Sequence, residues 1–302
     1  MINTLVTLSL IYFLIFSIVT AVIFIFVYFF IYVLYIFLFL PTDLEINLFN
    51  FIGECIKRIF SGISYHFPIY FLNRNSLKTD KSYLYIFIPH GLITFSQIIH
   101  VIDPISELNS LKMYNGAHSY LFRIPVIREL LQMAGCIPVD KSYLNRFLQT
   151  SSVSITVGGL REVSYALDNQ SDDKIFIKNR KGFIKIAQQN SVEIVPIYCW
   201  NEQQFLTFND WWGIDIVNKI ISILFGRTVD LNVLQALLPS RLYKIIGAIL
   251  GNIQGTRLYC GEPINVSNLN IDDAHDLYIN KVQALFNYAA MKEGSQKKLI
   301  IE

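Results

Sequence analysis

A histidine follows a short, strongly apolar segment in the middle of the chain. Residues Tyr83–Ile88 are aromatic or aliphatic throughout, which is typical of a buried strand, and Pro89, His90 and Gly91 come directly after them. A histidine at the end of a strand can act as a general base near neutral pH, and Gly91 leaves room for a ligand beside it. A structural histidine at a strand end is an equally good interpretation of this tetrapeptide alone.

Two glycines and a glutamate follow a second predicted strand, Val153–Val157. They are Gly158, Gly159 and Glu162. Glycines at this place leave backbone N–H groups free to hold an anion or a developing oxyanion. Because glycine pairs at strand ends are common, this pattern needs support from other residues.

A basic segment joins a third predicted strand, Lys174–Lys178, to a predicted helix, Gly182–Gln189. Helix N-termini attract phosphate groups, and lysine and arginine side chains add positive charge. A solvated basic turn is the alternative interpretation. Together with the histidine and the glycine pair, the segment predicts a site for an anionic substrate beside a base. Its polar residues are Lys178, Asn179, Arg180 and Lys181.

The elements that must position these residues alternate between strand and helix patterns from about residue 82 onwards. This alternation predicts an α/β domain, in which functional sites form at the carboxyl ends of the strands. Two further strands are predicted at Glu193–Tyr198 and Arg257–Cys260, and two further helices at Pro125–Met133 and Ala274–Met291.

Charge and cysteine usage exclude several classes of function. A formal net charge of +2 is too small for the basic face that nucleic-acid binding requires. The four cysteines are widely spaced and form no C-x-x-C pair, so neither a zinc site nor a disulfide framework is indicated. We expect reduced and mostly buried thiols.

The N-terminal segment from Thr4 to Leu40 contains no charged residue and no histidine. About 20 helical residues are enough to cross a bilayer, and this segment is longer. It therefore predicts an integral membrane anchor. Two short spans in a hairpin with both ends cytosolic are favoured, and one long tilted helix is the alternative. The predicted organisation is an anchor at 1–41, an interfacial amphipathic connection at 42–80 and an α/β domain at 81–302.

Six motifs occur in order between about residues 80 and 290, and in this order they resemble the diacylglycerol acyltransferase type 2 family. That family includes monoacylglycerol and wax-alcohol acyltransferases and belongs to the wider glycerolipid acyltransferase superfamily. The motifs are Ile88–Gly91, Phe122–Pro125 followed by Arg128 and Glu129, Gly158–Glu162, Lys178–Phe183, Val195–Tyr198 and Gly261–Ile264.

The resemblance implies a glycerolipid-acyltransferase-like sheet flanked by helices, and transfer of a fatty acyl group from acyl-CoA to a lipid hydroxyl. Diacylglycerol is the expected acceptor, giving triacylglycerol. Monoacylglycerol, long-chain alcohol, sterol and lysophospholipid remain alternatives, as does a catalytically impaired lipid-binding relative. No metal or prosthetic group is expected, and acyl-CoA serves as co-substrate. The implied location is the endoplasmic reticulum membrane, with the domain facing the cytosol, or the lipid droplet. Homo-oligomer formation is left open.

The resemblance also gives roles to single residues. His90 would be the general base, and Glu162 would orient its imidazole as the carboxylate of a triad does. The N–H groups near Gly158 and Gly159 would stabilise the oxyanion. The substrate-binding motifs also contain Gly91, Arg123 and Asn179, and the expected ligands of the CoA phosphates are Arg180, Lys181 and Lys178.

Two positions depart from the family pattern. Ile88 stands where the family has a first histidine, and Phe95 stands where the wider superfamily has an aspartate five residues after the catalytic histidine. The base must therefore find its acidic partner elsewhere, which is why Glu162 is the candidate. Ile88 keeps open the alternative of a binding protein derived from the enzyme.

Overall fold

A computed structural model describes residues 16–32, 34, 58, 61–91, 94–108, 111, 113–124, 127–167, 171–205 and 256–302. Nine strands form within these residues. They are β1 (Ile69–Phe71), β2 (Tyr83–Ile88), β3 (Met113–Ala117), β4 (Cys136–Pro138), β5 (Ser152–Thr156), β6 (Asp173–Ile175), β7 (Glu193–Trp200), β8 (Arg257–Cys260) and β9 (Leu299–Ile301).

Seven of the strands form one sheet in the order β1-β8-β7-β2-β5-β3-β4. The five strands from β7 to β4 are parallel, whereas β8 runs antiparallel to β7 and β1 pairs in parallel with β8. β2 lies at the centre, so its six residues are all buried, as expected for a strand covered on both faces. The carboxyl end of β2 therefore lies among the carboxyl ends of its parallel neighbours.

The helices connect the strands and cover both faces of the sheet. They are α1 (Phe95–Ile102), α2 (Ile127–Met133), α3 (Lys141–Leu148), α4 (Leu160–Leu167), α5 (Gly182–Gln189), α6 (Glu202–Phe205) and α7 (Ile271–Glu293), with 3-10 turns at Ile63–His66, Arg74–Ser76 and Ser119–Arg123.

Two hydrophobic clusters lie on the two sides of the sheet because side chains alternate along each strand. In β2, Leu84, Ile86 and Ile88 belong to the cluster that includes side chains of α3, α5 and α7. Tyr83, Tyr85 and Phe87 belong to the other cluster, which includes Val101 of α1.

A short parallel sheet of β6 and β9 lies beside the main sheet and extends towards the basic segment. Beyond β6, the N–H groups of Ile177 and Lys178 donate to the Glu302 carbonyl at 3.0 and 2.8 Å. The Tyr165 hydroxyl, on α4, donates to the Glu302 carboxylate at 2.6 Å. The last strand thus holds the beginning of the basic segment in place.

All five predicted strands are present, and β2 and β8 have the predicted bounds. The structure adds β1, β3, β4 and β9, each of five residues or fewer, whose sequences are too short to show a clear period. The predicted α/β class is confirmed. Three of the four cysteines lie in the described residues and are free and buried, as expected: Cys136, Cys199 and Cys260.

The predicted boundary at residue 81 is wrong for one segment, because β1 lies in the main sheet and pairs with β8 through Ile69, Tyr70 and Phe71. The rest of the predicted interfacial connection, before residue 61, lies outside the described residues apart from Arg58.

The predicted N-terminal anchor is described only in part. Residues 16–32 and 34 are helical, and large apolar side chains such as Phe24, Phe26 and Tyr28 are exposed there. Among the described residues, no helix is both long enough and apolar enough to cross a membrane. The predicted hairpin is thus not shown, and much of the segment that would form it lies outside the described residues.

Candidate active site

The His90–Gly91 turn follows the central strand β2. The His90 backbone N–H donates to Glu162 Oε2 at 2.6 Å, and the imidazole Nδ1 lies 2.5 Å from the Gly91 carbonyl oxygen. Since a carbonyl only accepts hydrogen bonds, Nδ1 carries the proton and Nε2 keeps its lone pair. Burial lowers the pKa of His90, and the bond to Gly91 opposes this only in part. The neutral imidazole is therefore the stable form at pH 7, with Nε2 available as a base.

Glu162 is fully buried and binds backbone groups on both sides. Its Oε2 accepts from His90 N–H, and its Oε1 accepts from Phe176 N–H at 2.7 Å. Burial raises the pKa of Glu162 to about 7, while these two bonds and the nearby Arg180 act in the opposite direction. The prediction that Glu162 orients the imidazole ring is wrong, because Nδ1 is bonded to Gly91. The carboxylate instead fixes the backbone from which the ring projects.

The two glycines serve different purposes. A Cβ atom on Gly158 would lie 1.8 Å from the carboxyl carbon of Glu162, so only glycine leaves space for that side chain. Gly159 has a φ of 60° in the left-handed region, where glycine is favoured, and leads into α4. Within the described residues, no acceptor is bonded to either N–H group. Oxyanion stabilisation by these groups stays a prediction.

A pocket of about 600 Å³ lies between α3, α5 and the end of β5. Of the predicted substrate ligands, it includes Arg180, Lys181 and Asn179. Lys178 and Arg123 are not among its lining residues. We call it the cationic pocket, and it is lined by Val139, Lys141, Leu144, Ile155, Thr156, Val157, Asn179, Arg180, Lys181, Gly182, Phe183, Lys185, Ile186 and Gln189.

The remaining predicted ligands are exposed and separate from the pocket. Arg123 lies over the ring of Tyr120 at 5.1 Å, at the end of a 3-10 turn. Lys178 is bonded through its backbone to Glu302, and its side chain is exposed. Their roles in substrate binding stay predictions.

Comparison with known proteins identifies the family of this chain. The family model described as Diacylglycerol acyltransferase matches residues 17–302. The chain belongs to this family. Diacylglycerol O-acyltransferase 2 from Homo sapiens is 25% identical over 264 residues, which is 78% of this chain and 64% of the human protein. The chain thus spans less than two thirds of that relative's length.

Two further proteins are similar to this chain, one in sequence and one in structure. Acyl-CoA wax alcohol acyltransferase 2 from Homo sapiens is 26% identical over 271 residues, covering 80% of this chain and 76% of the relative. The crystal structure of the 1-acyl-sn-glycerophosphate acyltransferase PlsC from Thermotoga maritima aligns with a TM-score of 0.47 and 11% identity. That alignment covers 87% of this chain and 89% of the other.

In this diacylglycerol acyltransferase family member, Ile88 occupies a core position. It is fully buried, pairs in register with Tyr198 of β7, and lies in the same hydrophobic cluster as Leu84 and Ile86. The proton on Nδ1 of His90 is held by Gly91, without a side chain from position 88. The isoleucine therefore contributes packing and leaves the base arrangement of His90 intact.

Sequence reasoning missed Glu202, a second buried glutamate beside the turn. A Cβ atom on Gly91 would lie 2.6 Å from the Glu202 carbonyl oxygen, so the turn packs directly on this residue. Its Oε1 accepts from Ser96 N–H, in the first turn of α1, at 3.3 Å. Burial raises the pKa of Glu202 to about 7, and the bonds from Ser96 oppose the rise. Glu202 follows the carboxyl end of β7, where functional residues of α/β folds lie, and this position could have identified it from the sequence.

The turn therefore lies between two buried carboxyl groups. Glu162 holds the amide of His90 from the α4 side, and Glu202 packs against Gly91 from the β7 side. The hydroxyl of Thr256 is buried beside Glu202 and, like the bonds from Ser96, opposes the rise in the pKa of this carboxyl group. The arrangement restrains the backbone and leaves Nε2 of His90 as the base.

Proposed function

We propose that this protein transfers a fatty acyl group from acyl-CoA to the hydroxyl of a lipid acceptor, with His90 as the general base. The observation that carries the proposal is the imidazole whose Nδ1 donates to Gly91, which leaves a lone pair on Nε2 at the carboxyl end of the central strand. Membership of the diacylglycerol acyltransferase family supports the same reaction.

In the proposed reaction, Nε2 of His90 removes the proton of the acceptor hydroxyl as its oxygen attacks the thioester carbonyl. A positioned base of this kind contributes about 10²–10⁴ to the rate. The carbonyl oxygen becomes an oxyanion, which the free N–H groups of Gly158 and Gly159 would stabilise. Collapse of the intermediate breaks the carbon–sulfur bond, and the proton on Nε2 passes to the departing CoA thiolate.

The proposed reaction is a direct transfer with no acyl-enzyme intermediate. Cys199 lies near the end of β7 but is buried, and burial raises the pKa of its thiol well above the ordinary value. A thiol nucleophile needs the opposite shift, because the thiolate is the reactive form. His90 therefore acts on the acceptor hydroxyl itself.

For the donor, the proposed ligands of the CoA phosphates are Arg180 and Lys181, which line the cationic pocket. For the acceptor, we propose diacylglycerol, in keeping with the family model and with relatives named for that acceptor. A relative named for wax alcohol is similarly identical, so a long-chain alcohol is the second candidate.

We propose that the N-terminal segment from Thr4 to Leu40 holds the domain at the cytosolic face of the endoplasmic reticulum membrane. The exposed apolar side chains in residues 16–32 support a lipid environment. Acceptor and product are both membrane-soluble in this proposal, so the anchor would keep His90 near the interface where the hydroxyl arrives.

The test is His90→Ala in the full chain, expressed in cells that lack their own ester-forming acyltransferases, with labelled acyl-CoA supplied to membranes isolated from those cells. We expect new neutral lipid from the unaltered protein and a loss of at least 100-fold in the variant. His66→Ala is the matched control, since this histidine lies outside the site. Ester formation at the unaltered rate in His90→Ala would remove His90 from the catalytic role, and the lipid product identifies the acceptor.

A further inference from the structure

The cationic pocket has an unusual balance of charge. Of its fourteen lining residues, four are lysine or arginine and none is aspartate or glutamate. Its floor consists of aliphatic and aromatic side chains from β5, α3 and α5, including Ile155, Leu144 and Phe183. An occupant that matches both properties has an apolar flat or chain-like body and several negative charges.

The four cations differ in how far they are already neutralised. Lys181 forms an ion pair with Asp272 at 2.5 Å, and Arg180 lies over the ring of Phe176 at 5.2 Å. Within the described residues, no carboxylate lies within ion-pair distance of Lys141 or Lys185. These two lysines are exposed and line the same pocket from α3 and α5, which pack against each other.

The strand order gives the separation between Lys141 and the base. Lys141 is the first residue of α3, directly after β4, and β4 is three strands away from β2 in the sheet. At about 4.8 Å per strand, the start of α3 lies about 14 Å across the sheet from β2, whose carboxyl end leads into the His90–Gly91 turn. Arg180 lies near enough to Glu162 for its charge to lower the pKa of that carboxyl group.

We propose that the cationic pocket binds the phosphorylated adenosine end of CoA, with Lys141 and Lys185 as ligands of its 3′-phosphate. This inference rests on acyl-CoA being the donor. The adenine ring lies on the apolar floor, the pyrophosphate lies at Arg180 and Lys181, and the pantetheine arm spans the distance to the thioester at His90. The separation of about 14 Å between the start of α3 at Lys141 and the central strand suits a long donor with a reactive thioester at one end and a phosphate monoester at the other.

The test measures binding without turnover, using the full chain in detergent. Adenosine 3′,5′-bisphosphate is the probe, and its dissociation constant is measured by calorimetry for the unaltered protein and for Lys141→Ala/Lys185→Ala. We expect the affinity to fall about 30-fold or more, since two charge-assisted hydrogen-bond partners are removed. Lys78→Ala/Lys281→Ala removes the same net charge from exposed lysines outside the pocket and should bind the probe as the unaltered protein does.

A kinetic arm separates this inference from the proposed function. With oleoyl-CoA and oleoyl-3′-dephospho-CoA as donors, the unaltered protein should prefer the phosphorylated donor at least tenfold in kcat/KM. The double variant should lose that preference, and Lys141→Arg/Lys185→Arg should restore part of it. Probe binding that depends on the lysines, in a protein that forms no ester, would leave the pocket assignment standing and remove the proposed function.

Three results would overturn the inference. One is equal probe affinity in the unaltered protein and the alanine double variant. Another is a donor preference that the double variant keeps. The third is an alanine double variant that binds the probe as the unaltered protein does but no longer binds vesicles of phosphatidylcholine containing phosphatidic acid. That result would make the pocket a site for an anionic lipid.

Discussion

Glu162→Gln separates the placement of His90 from the stability of the fold. The carboxylate accepts one N–H on each oxygen, from His90 at 2.6 Å and from Phe176 at 2.7 Å. Glutamine has nearly the same shape but only one accepting atom. Its NH₂ group must therefore face one of the two N–H donors, so one bond is lost and two donors oppose each other in a buried place.

The free energy of unfolding changes through two opposing effects. Losing one charge-assisted bond and burying an unpaired donor costs about 2–4 kcal/mol. Removing the carboxylate acts the other way, because burial raises the pKa of Glu162 from its ordinary value of 4.5 to about 7. A shift of this size corresponds to about 3 kcal/mol of penalty on the charged form at pH 8. We therefore expect the stability of Glu162→Gln to lie within about 2 kcal/mol of the unaltered protein.

Activity has no such compensation, because the amide of His90 loses its fixed partner. A displacement of about 1 Å at a reacting group can cost about 10²-fold in rate. We expect kcat for ester formation to fall by about this factor, with an unchanged KM for acyl-CoA. The assay combines labelled-acyl-CoA turnover with denaturant unfolding of the purified full chain in detergent.

Two further variants make the result decisive. Gly158→Ala places a Cβ atom 1.8 Å from the carboxyl carbon of Glu162 and should lower both stability and kcat, because the whole side chain must move. Asp276→Asn changes an exposed carboxylate outside the motifs and should change neither quantity. An unaltered kcat in Glu162→Gln would refute the argument that this carboxylate positions His90.

Three other outcomes are expected at the same turn. Gly91→Ala should reduce kcat at least tenfold in the turnover assay, because its Cβ would lie 2.6 Å from the Glu202 carbonyl oxygen. Burial holds the pKa of His90 below 6.5, so the base form predominates at neutral pH and the acid limb of kcat/KM should lie below pH 6.5. The raised pKa of Glu202 means that the folded state binds its proton more tightly than the unfolded state between about pH 4.5 and 7. Melting temperatures in this window should therefore show the unaltered protein losing stability relative to Glu202→Gln as the pH rises.

Each of these three predictions would be contradicted by a particular result. Gly91→Ala with unaltered turnover would show that Glu202 yields without disturbing the base. An acid limb above pH 6.5 would contradict the lowered pKa of His90. A pH-independent stability difference between the unaltered protein and Glu202→Gln would contradict the buried carboxyl. The buried His100, whose pKa burial lowers to about 4, shifts stability in the opposite direction but equally in both proteins, so it cancels in the difference.

The sequence was most informative where residue pattern and burial coincide. The bounds of β2 and β8 were predicted to the residue, because β2 is a continuous apolar run ended by Pro89 and β8 is a short β-rich run ended by Gly261. Helix α5 was also predicted to the residue, since Gly182 marks the start of a clear apolar period. The glycine pair pointed to a glutamate that does contact the histidine segment.

The contacts themselves could not be predicted in the same way. The sequence motifs indicate that Glu162 lies near His90. They do not show whether its carboxylate contacts the imidazole ring or the backbone amide, because that depends on how α4 packs. Glu202 was missed because it acts through its backbone and its burial rather than through a motif. Lys141 and Lys185 lie far apart in sequence, and only the packing of α3 on α5 brings them into one pocket.

The short sheet of β6 and β9 allows local opening at the basic segment to be measured separately from opening of the main sheet. The amides of Ile177 and Lys178 are bonded to the carbonyl of Glu302, and the Glu302 amide is bonded to Ile175. Such edge pairings open with less free energy than the central strands do, so these amides should exchange with solvent deuterium before those of β2. Occupancy of the cationic pocket should slow that exchange, which would let ligand binding be followed in a protein that is not turning over.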